Sequence, residues 1–458
     1  MSTPVDPARG VAFDALRAVS EHDAYANLVL PAALRRAGLS GRDAAFATEL
    51  CYGTLRGRGT YDAVLGACVH RPLERVDGPL LDALRLGVHQ LLSTRVPPHA
   101  AVSQTVALVR RVAGHRTVGF ANAVLRRVGR DDRDTWVRRV APDSRTDPAG
   151  HRAVAASHPR WVVEVLGDAL RRDRRATELD PLLAADNDPP RVTLVARPGL
   201  VDAETLRSGA GASAGRWSPY AVVLGSGEPG AVAAVRDGRA GVQDEGSQLA
   251  ALALTGARLE GRDERWLDLC AGPGGKAALL GALAAGRGAR LVAQELSAHR
   301  AELVRSTVRR LGDAVTVRVG DGRDVGAAEA SVYDRVLVDA PCTGLGALRR
   351  RPEARWRRRP DDVEPLVALQ TALLASALDA TRSGGVVAYA VCSPHPAETA
   401  GVLDDVLAGR GDVQLLDARE PLDDVPGLGA TLSDRPTVQL WPHVHGTDAM
   451  FVALLRRC

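Results

Sequence analysis

Lysine is almost missing from this chain: of 59 basic residues, one is lysine, Lys276, and the rest are arginine. Long apolar runs are missing too. No stretch of about eighteen uninterrupted apolar residues occurs, so no membrane-spanning helix is expected. The opening MSTPVDPARG lacks a signal peptide's hydrophobic region, and a cytoplasmic location is expected. The six cysteines (Cys51, Cys68, Cys270, Cys342, Cys392 and Cys458) form no CxxC pair and no Cys/His ligand spacing. That argues against a disulfide framework and a metal site, and leaves reduced thiols. In a chain that uses arginine wherever either cation would serve, the position keeping lysine is expected to need a compact ammonium.

What is present is unevenly distributed. Residues 1–140 hold 20 Arg against 13 acidic residues, a net of +7, while the remainder holds 39 basic against 42 acidic residues, a net of −3. A basic N-terminal third on a near-neutral body suggests a polyanionic partner. At 458 residues the chain is too long for one core, so several domains are expected.

From residue 7 to about 130, segments such as VAFDALRAV, PLLDALRLGVHQLL and AVSQTVALVRRV space apolar residues three and four apart, which predicts an all-α bundle over 1–140. Residues 131–155 are polar and carry Pro and Gly, and read as a linker. A small α/β domain is expected to follow, to about 240, with a helix at PRWVVEVLGDAL and strands at RVTLVA and AVVLG. From 241 to 458, short apolar runs alternate with helical stretches: ERWLDLC, ARLVAQE, AVTVRVGD, YDRVLVDAP and GGVVAYAVCS. That alternation predicts a parallel, doubly wound sheet, and TVQLWPHVHGTDAMFVALLRR reads as a terminal antiparallel hairpin.

Ligands of such a sheet lie beyond the carboxyl ends of its strands. The first strand there ends in CAGPGGK (270–276), a glycine-rich turn opening a helix, where backbone can approach a ligand and an anion is favoured. It is neither GxGxxG nor a Walker loop. The next strands end in Glu295, placed to grip a ribose hydroxyl, in Asp321, placed to face an adenine amino group, and in Asp339. VDAPCTG (338–344) and YAVCSPHP (389–396) each put a cysteine after an apolar strand. Spacing alone leaves open which of Cys342 and Cys392 attacks. The run RRRPEARWRRR (349–359) holds seven Arg, one Glu and one Trp, and is expected to contact phosphates.

Together, LDLCAGPGGK, VDAPCTGLGALRRRPEARW, VQDEGSQLA, YAVCSPHPAET and WPHVHGTDAMFVALL resemble the NOL1/NOP2/Sun family of RNA (cytosine-C5) methyltransferases, closest to its bacterial Sun/Fmu (RsmB-type) 16S rRNA branch. The run RDAAFATELCYGTLRGRGTYDAVL resembles the NusB-like RNA-binding fold. The resemblance implies a Rossmann-like catalytic domain, S-adenosyl-L-methionine as cofactor and RNA, 16S rRNA in the first instance, as partner. No metal, no membrane and a monomer are expected. By motif, Cys270, Ala271, Gly272, Pro273, Gly274, Gly275 and Lys276 would line the methionine end of the cofactor. Glu295, where the family more often has Asp, would hold the ribose; Asp321 would face the adenine and Asp339 the reaction centre. Gly272 stands for a frequent Ala, Thr343 for a frequent Ser and Ala449-Met450 for a frequent Gly-Phe. The family implies attack by Cys392 and assistance by Cys342 in breaking the adduct. A thiolate at neutral pH needs a positive local field, and the helix predicted after Pro396 would provide one. The same chemistry on tRNA or another rRNA site, and a non-catalytic RNA-binding assembly factor, are the alternatives.

Overall fold

A computed structural model describes residues 5–225 and 227–458, which form two compact units. The first comprises the chain up to Gly167 together with residues 183–188 and 348–358; the second comprises 168–182, 189–347 and 359–458. The first unit therefore runs past the boundary at 140 that composition suggests.

The first unit is helical, as the three-and-four spacing requires. Its helices include Pro7–Glu21, Gly41–Cys68, Gly78–Ser93, Pro98–Ala113 and Val118–Val128. Starts are set locally: Asp6 accepts from the Arg9 amide, with Pro7 in the first turn. Phe13, Leu50, Leu84 and Leu125 meet in a shared core.

The expected linker is folded instead. Residues 131–155 contain the helices Arg133–Val140 and Pro148–Ala155, capped by Asp132 (to the Thr135 amide, 2.8 Å) and Asp147 (to the Gly150 amide, 3.0 Å). Trp136 is buried, its indole donating to the Val128 carbonyl at 2.8 Å. The Asp and Pro signals that read as linker chemistry are helix caps, which use the same residue types.

The arginine run is corrected as well. Residues 348–358 belong to the helical unit, although they follow the Cys342 loop in sequence. Arg355 is fully buried and donates to the Ser157 carbonyl (3.0 Å), Asn187 Oδ1 (2.8 Å) and the Asp186 carbonyl (3.1 Å). Arg357 donates to the carbonyls of Val19 and Ala24, and Trp356 packs over Gly59, where a Cβ would lie 2.5 Å from the ring. Within the run only Arg351 and Arg359 are exposed. Much of this charge anchors a strap of chain and is not available to phosphates.

The second unit contains two sheets. The smaller is antiparallel, in the order β2-β3-β1-β4, from β1 (Thr193–Ala196), β2 (Ser213–Ala214), β3 (Ala221–Val223) and β4 (Ala240–Val242). The larger has eight strands: β5 (Arg265–Asp268), β6 (Arg290–Glu295), β7 (Val315–Val319), β8 (Tyr333–Asp339), β9 (Thr381–Val391), β10 (Val413–Leu416), β11 (Val438–Gln439) and β12 (Phe451–Arg457). Its order is β10-β12-β9-β8-β5-β6-β7, with β11 on β12. Strands β5 to β9 are mutually parallel, so their carboxyl ends share one edge. The expected terminal hairpin exists as β11–β12, but β12 lies inside the sheet, antiparallel to both β9 and β10. The helix Val363–Ala380 lies in a segment apolar enough to cross a membrane by length and composition, yet its Leu373, Leu374, Ala377 and Leu378 are buried against this sheet.

Candidate active site

The shared edge of β5 to β9 gathers the residues that the sequence singles out. After β5, the loop to the helix Gly275–Gly286 passes through Gly274, whose φ of +112° favours glycine and whose added Cβ would lie 2.9 Å from Thr307. Gly272 is bare for a different reason. A Cβ there would stand 2.2 Å from Glu295 Oε2. Glu295, the last residue of β6, is buried and accepts from the amides of Gly272 (3.0 Å) and Ser297 (2.9 Å). The longer acid and the missing methyl group therefore compensate each other. Burial pushes the Cys270 thiol well above its ordinary pKa, which disfavours its thiolate. Asp321, two residues past β7, caps the turn Gly322–Asp324, and its carboxylate is paired with the Arg323 guanidinium and amide.

Lys276 Nζ lies 2.8 Å from Asp339 Oδ2 at the end of β8. Burial works against the ammonium, but Asp339 more than offsets this and raises its pKa. The one lysine of the chain thus bridges the glycine-rich loop 270–276 and the strand carrying Asp339. Asp268, at the end of β5, is fully buried and neither oxygen accepts a hydrogen bond of ordinary geometry. Burial and then the charge of Asp339 push its pKa up to about 7, against the pull of Lys276 and the Cys270 amide.

Cys342 and Cys392, half-buried beyond β8 and β9, bring their sulfurs to 3.4 Å. The pair is asymmetric. Hydrogen bonding from Cys342 lowers the Cys392 pKa, with burial opposing and Lys276 assisting. The same contact, burial and the charge of Glu398 raise that of Cys342 well above the ordinary thiol value. The Cys342 contact and the Lys276 ammonium both favour the Cys392 thiolate, and the helical segment expected after Pro396 is present as Ala397–Gly401 followed by Val402–Ala408.

Two features of the site escape the sequence reading. One is Asp268, hidden inside an apolar strand. The other is Glu398, quoted in YAVCSPHPAET without a role: it is fully buried and accepts from the Thr343 amide (2.7 Å), Thr343 Oγ1 (2.5 Å), Ser393 Oγ (2.6 Å) and Gln370 Nε2 (3.0 Å). Its position in the first helical turn after a strand gives the signal of an ordinary exposed cap. Among the described residues, no cluster of metal-ligating side chains occurs.

Comparison with known proteins identifies the family. Residues 258–456 match the family model of the 16S rRNA methyltransferases RsmB/F, and residues 6–130 match the NusB family. The chain is 55% identical over 456 residues to the Mycobacterium tuberculosis protein named "Putative methyltransferase Rv1407", covering 99% of this chain and 97% of that one. It is 32% identical to the ribosomal RNA small subunit methyltransferase B of Pseudomonas putida, covering 88% of this chain and 89% of the other. The crystal structure of PH0851 superposes with a TM-score of 0.81 at 22% identity, covering both chains completely. That of NSun6 from Pyrococcus horikoshii with SFG gives 0.53 at 17% identity, covering 64% of this chain and 98% of the other. The chain belongs to the RsmB/F family of rRNA methyltransferases, enzymes dependent on S-adenosyl-L-methionine, and carries a NusB-family region N-terminal to its catalytic unit.

Proposed function

We propose that this protein methylates carbon 5 of a cytosine in small-subunit rRNA through a covalent adduct on Cys392. The observation that carries the reading is the pair of sulfurs at 3.4 Å beside the Lys276–Asp339 ion pair. Carbon 5 of cytosine is a poor nucleophile inside an aromatic ring. Addition of the Cys392 thiolate at carbon 6 forms an S–C bond and makes carbon 5 enamine-like, which is covalent catalysis. S-adenosyl-L-methionine, when bound, supplies an electrophilic methyl group. Asp339, held by Lys276, accepts from the N3/N4 edge of the base and stabilises the adduct. Water then takes the carbon-5 proton as the S–C bond breaks, the electron pair of that bond returns to Cys392 as a thiolate, and the Cys342 thiol stabilises the leaving sulfur by hydrogen bonding across the 3.4 Å contact. The loop 270–276 would hold the methionine end of the cofactor, Glu295 the ribose, and Asp321 the adenine, the acids using lone pairs their present partners leave open. The target base must present its face, which requires a single-stranded or flipped-out cytosine. Cytoplasmic rRNA is the substrate this implies.

A denaturing gel with labelled rRNA and S-adenosyl-L-methionine tests the assignment. Cys392→Ala forms no covalent band and loses turnover; Cys342→Ala still attacks and methylates but stalls, accumulating a methylated protein–RNA band. The reverse pattern overturns the assignment, and activity in both variants overturns the covalent mechanism. Bisulfite sequencing of rRNA from a deletion strain identifies the base, and an unchanged rRNA profile with a lost tRNA signal would move the substrate to tRNA.

A further inference from the structure

Glu398 is a buried carboxylate that touches neither the cofactor loop nor Asp339, yet its partners flank both cysteines. Thr343, next to Cys342, gives it an amide and a hydroxyl, and Ser393, next to Cys392, gives it a second hydroxyl. Gln370 Nε2 donates both to Glu398 Oε1 (3.0 Å) and to the carbonyl of Pro341 (2.8 Å), the residue before Cys342. The Tyr389 hydroxyl, near the end of β9, donates to the Glu398 carbonyl at 2.7 Å. The hydroxyls of Thr343 and Ser393 also meet at 3.1 Å. A fully buried charge is stable only when its oxygens are satisfied, and here four donors from three segments converge on it. Structural satisfaction alone would not require those donors to come from the two residues that follow the two cysteines.

We propose that Glu398 is a positioning residue for the cysteine pair: by gripping Thr343 and Ser393 it holds the two loops in register and keeps Cys392, not Cys342, as the attacking sulfur. The inference rests on the Cys392 attack proposed above. It has a mechanical part and an electrostatic part. The clamp fixes the sulfurs at a distance where one can donate to the other. Its negative charge lies on the Cys342 side, where it favours the neutral thiol, whereas the ammonium of Lys276 acts on Cys392. Asp339 and Asp448 oppose the ionisation of Cys392, while the Cys342 contact and Lys276 favour it. Thr343 fits the scheme as a departure from the family's frequent Ser, because either hydroxyl can reach the carboxylate.

The test reads the sulfurs without RNA. Full-length protein is alkylated with iodoacetamide across the neutral to alkaline range, and modification at each cysteine is followed by mass spectrometry. Wild type modifies Cys392 ahead of Cys342. Glu398→Gln and Thr343→Val lower the Cys392-to-Cys342 rate ratio near neutral pH by about tenfold, the change in thiolate fraction that one pKa unit brings. Thr343→Ser keeps the wild-type ratio. An unchanged ratio in both Glu398→Gln and Thr343→Val overturns the proposal, and if Glu398→Gln does not fold, Thr343→Val decides alone. A purely structural role lowers the melting temperature while leaving the ratio intact, which also overturns it. Failure of the underlying mechanism is separate: it shows as a covalent RNA band from Cys392→Ala, whatever the alkylation ratio does.

Discussion

Asp268→Asn tests the electrostatics of the site through stability alone. The carboxyl is fully buried with a pKa of about 7 in the folded chain, against roughly 3.9 when unfolded. Its folded pKa is raised, so folding takes up a proton between those values, and stability falls as pH rises from about 4 to about 7. The cost reaches about 4 kcal/mol at pH ~8 and only about 1.5 kcal/mol at pH ~5, from roughly 1.4 kcal/mol per pKa unit. Asparagine removes the titration. Its amide carries a desolvation cost of roughly 1–3 kcal/mol, but equally at both pH values. The variant should therefore gain about 2.5 kcal/mol relative to wild type between pH ~5 and pH ~8. Urea unfolding of both proteins at four pH values, followed by tryptophan fluorescence, measures that gap. A gap that stays flat or narrows toward high pH would refute the reading that Asp268 holds its proton near neutrality.

Other perturbations follow from the same contacts. Lys276→Arg preserves charge but not the compact ammonium that meets Asp339 at 2.8 Å; turnover is expected to fall while calorimetry still detects cofactor binding, and normal turnover would end the lone-lysine argument. Gly272→Ala forces a methyl into the place of Glu295 Oε2 and should weaken S-adenosyl-L-methionine binding by roughly 1–3 kcal/mol, with much of the loss restored in Gly272→Ala/Glu295→Asp; additive losses in a calorimetric double-mutant cycle would contradict the compensation. Arg355→Ala strips the strap of its buried donors and should cost the helical unit about 3 kcal/mol or more in urea unfolding. Replacing the exposed Arg351 and Arg359 by Gln should lower the salt slope of RNA binding by about 1–2 if both meet phosphates, and an unchanged slope removes the run from the RNA interface.

The sheet was legible because parallel strands bury both faces and read as continuous apolar runs, with their chemistry displaced to the following residues. Hence Glu295, Asp339, Lys276 and both cysteines could be placed at one edge from order alone. What was not legible is whether a polar group is spent inside the protein. Arg355 and Arg351 look alike in sequence, yet one is fully buried and the other exposed. Asp132 and Asp147 are caps that look like linker residues, so two helices were missed. Asp321 also pairs with Arg323, two residues on, a contact that sequence order does not announce. Glu398 collects its donors from residues 343, 370 and 393, a convergence that only the folded chain reveals.

The isolation of Lys276 also gives this enzyme an unusual reporter. An amine-directed ester meets only one ε-amino group in the whole chain, and that group is buried beside Asp339. Apart from the α-amino terminus, acylation of the native protein therefore reads out one atom of the active site. The rate at which the label enters measures how often that pocket opens, without any engineered probe, and a bound cofactor analogue that covers the loop should slow it.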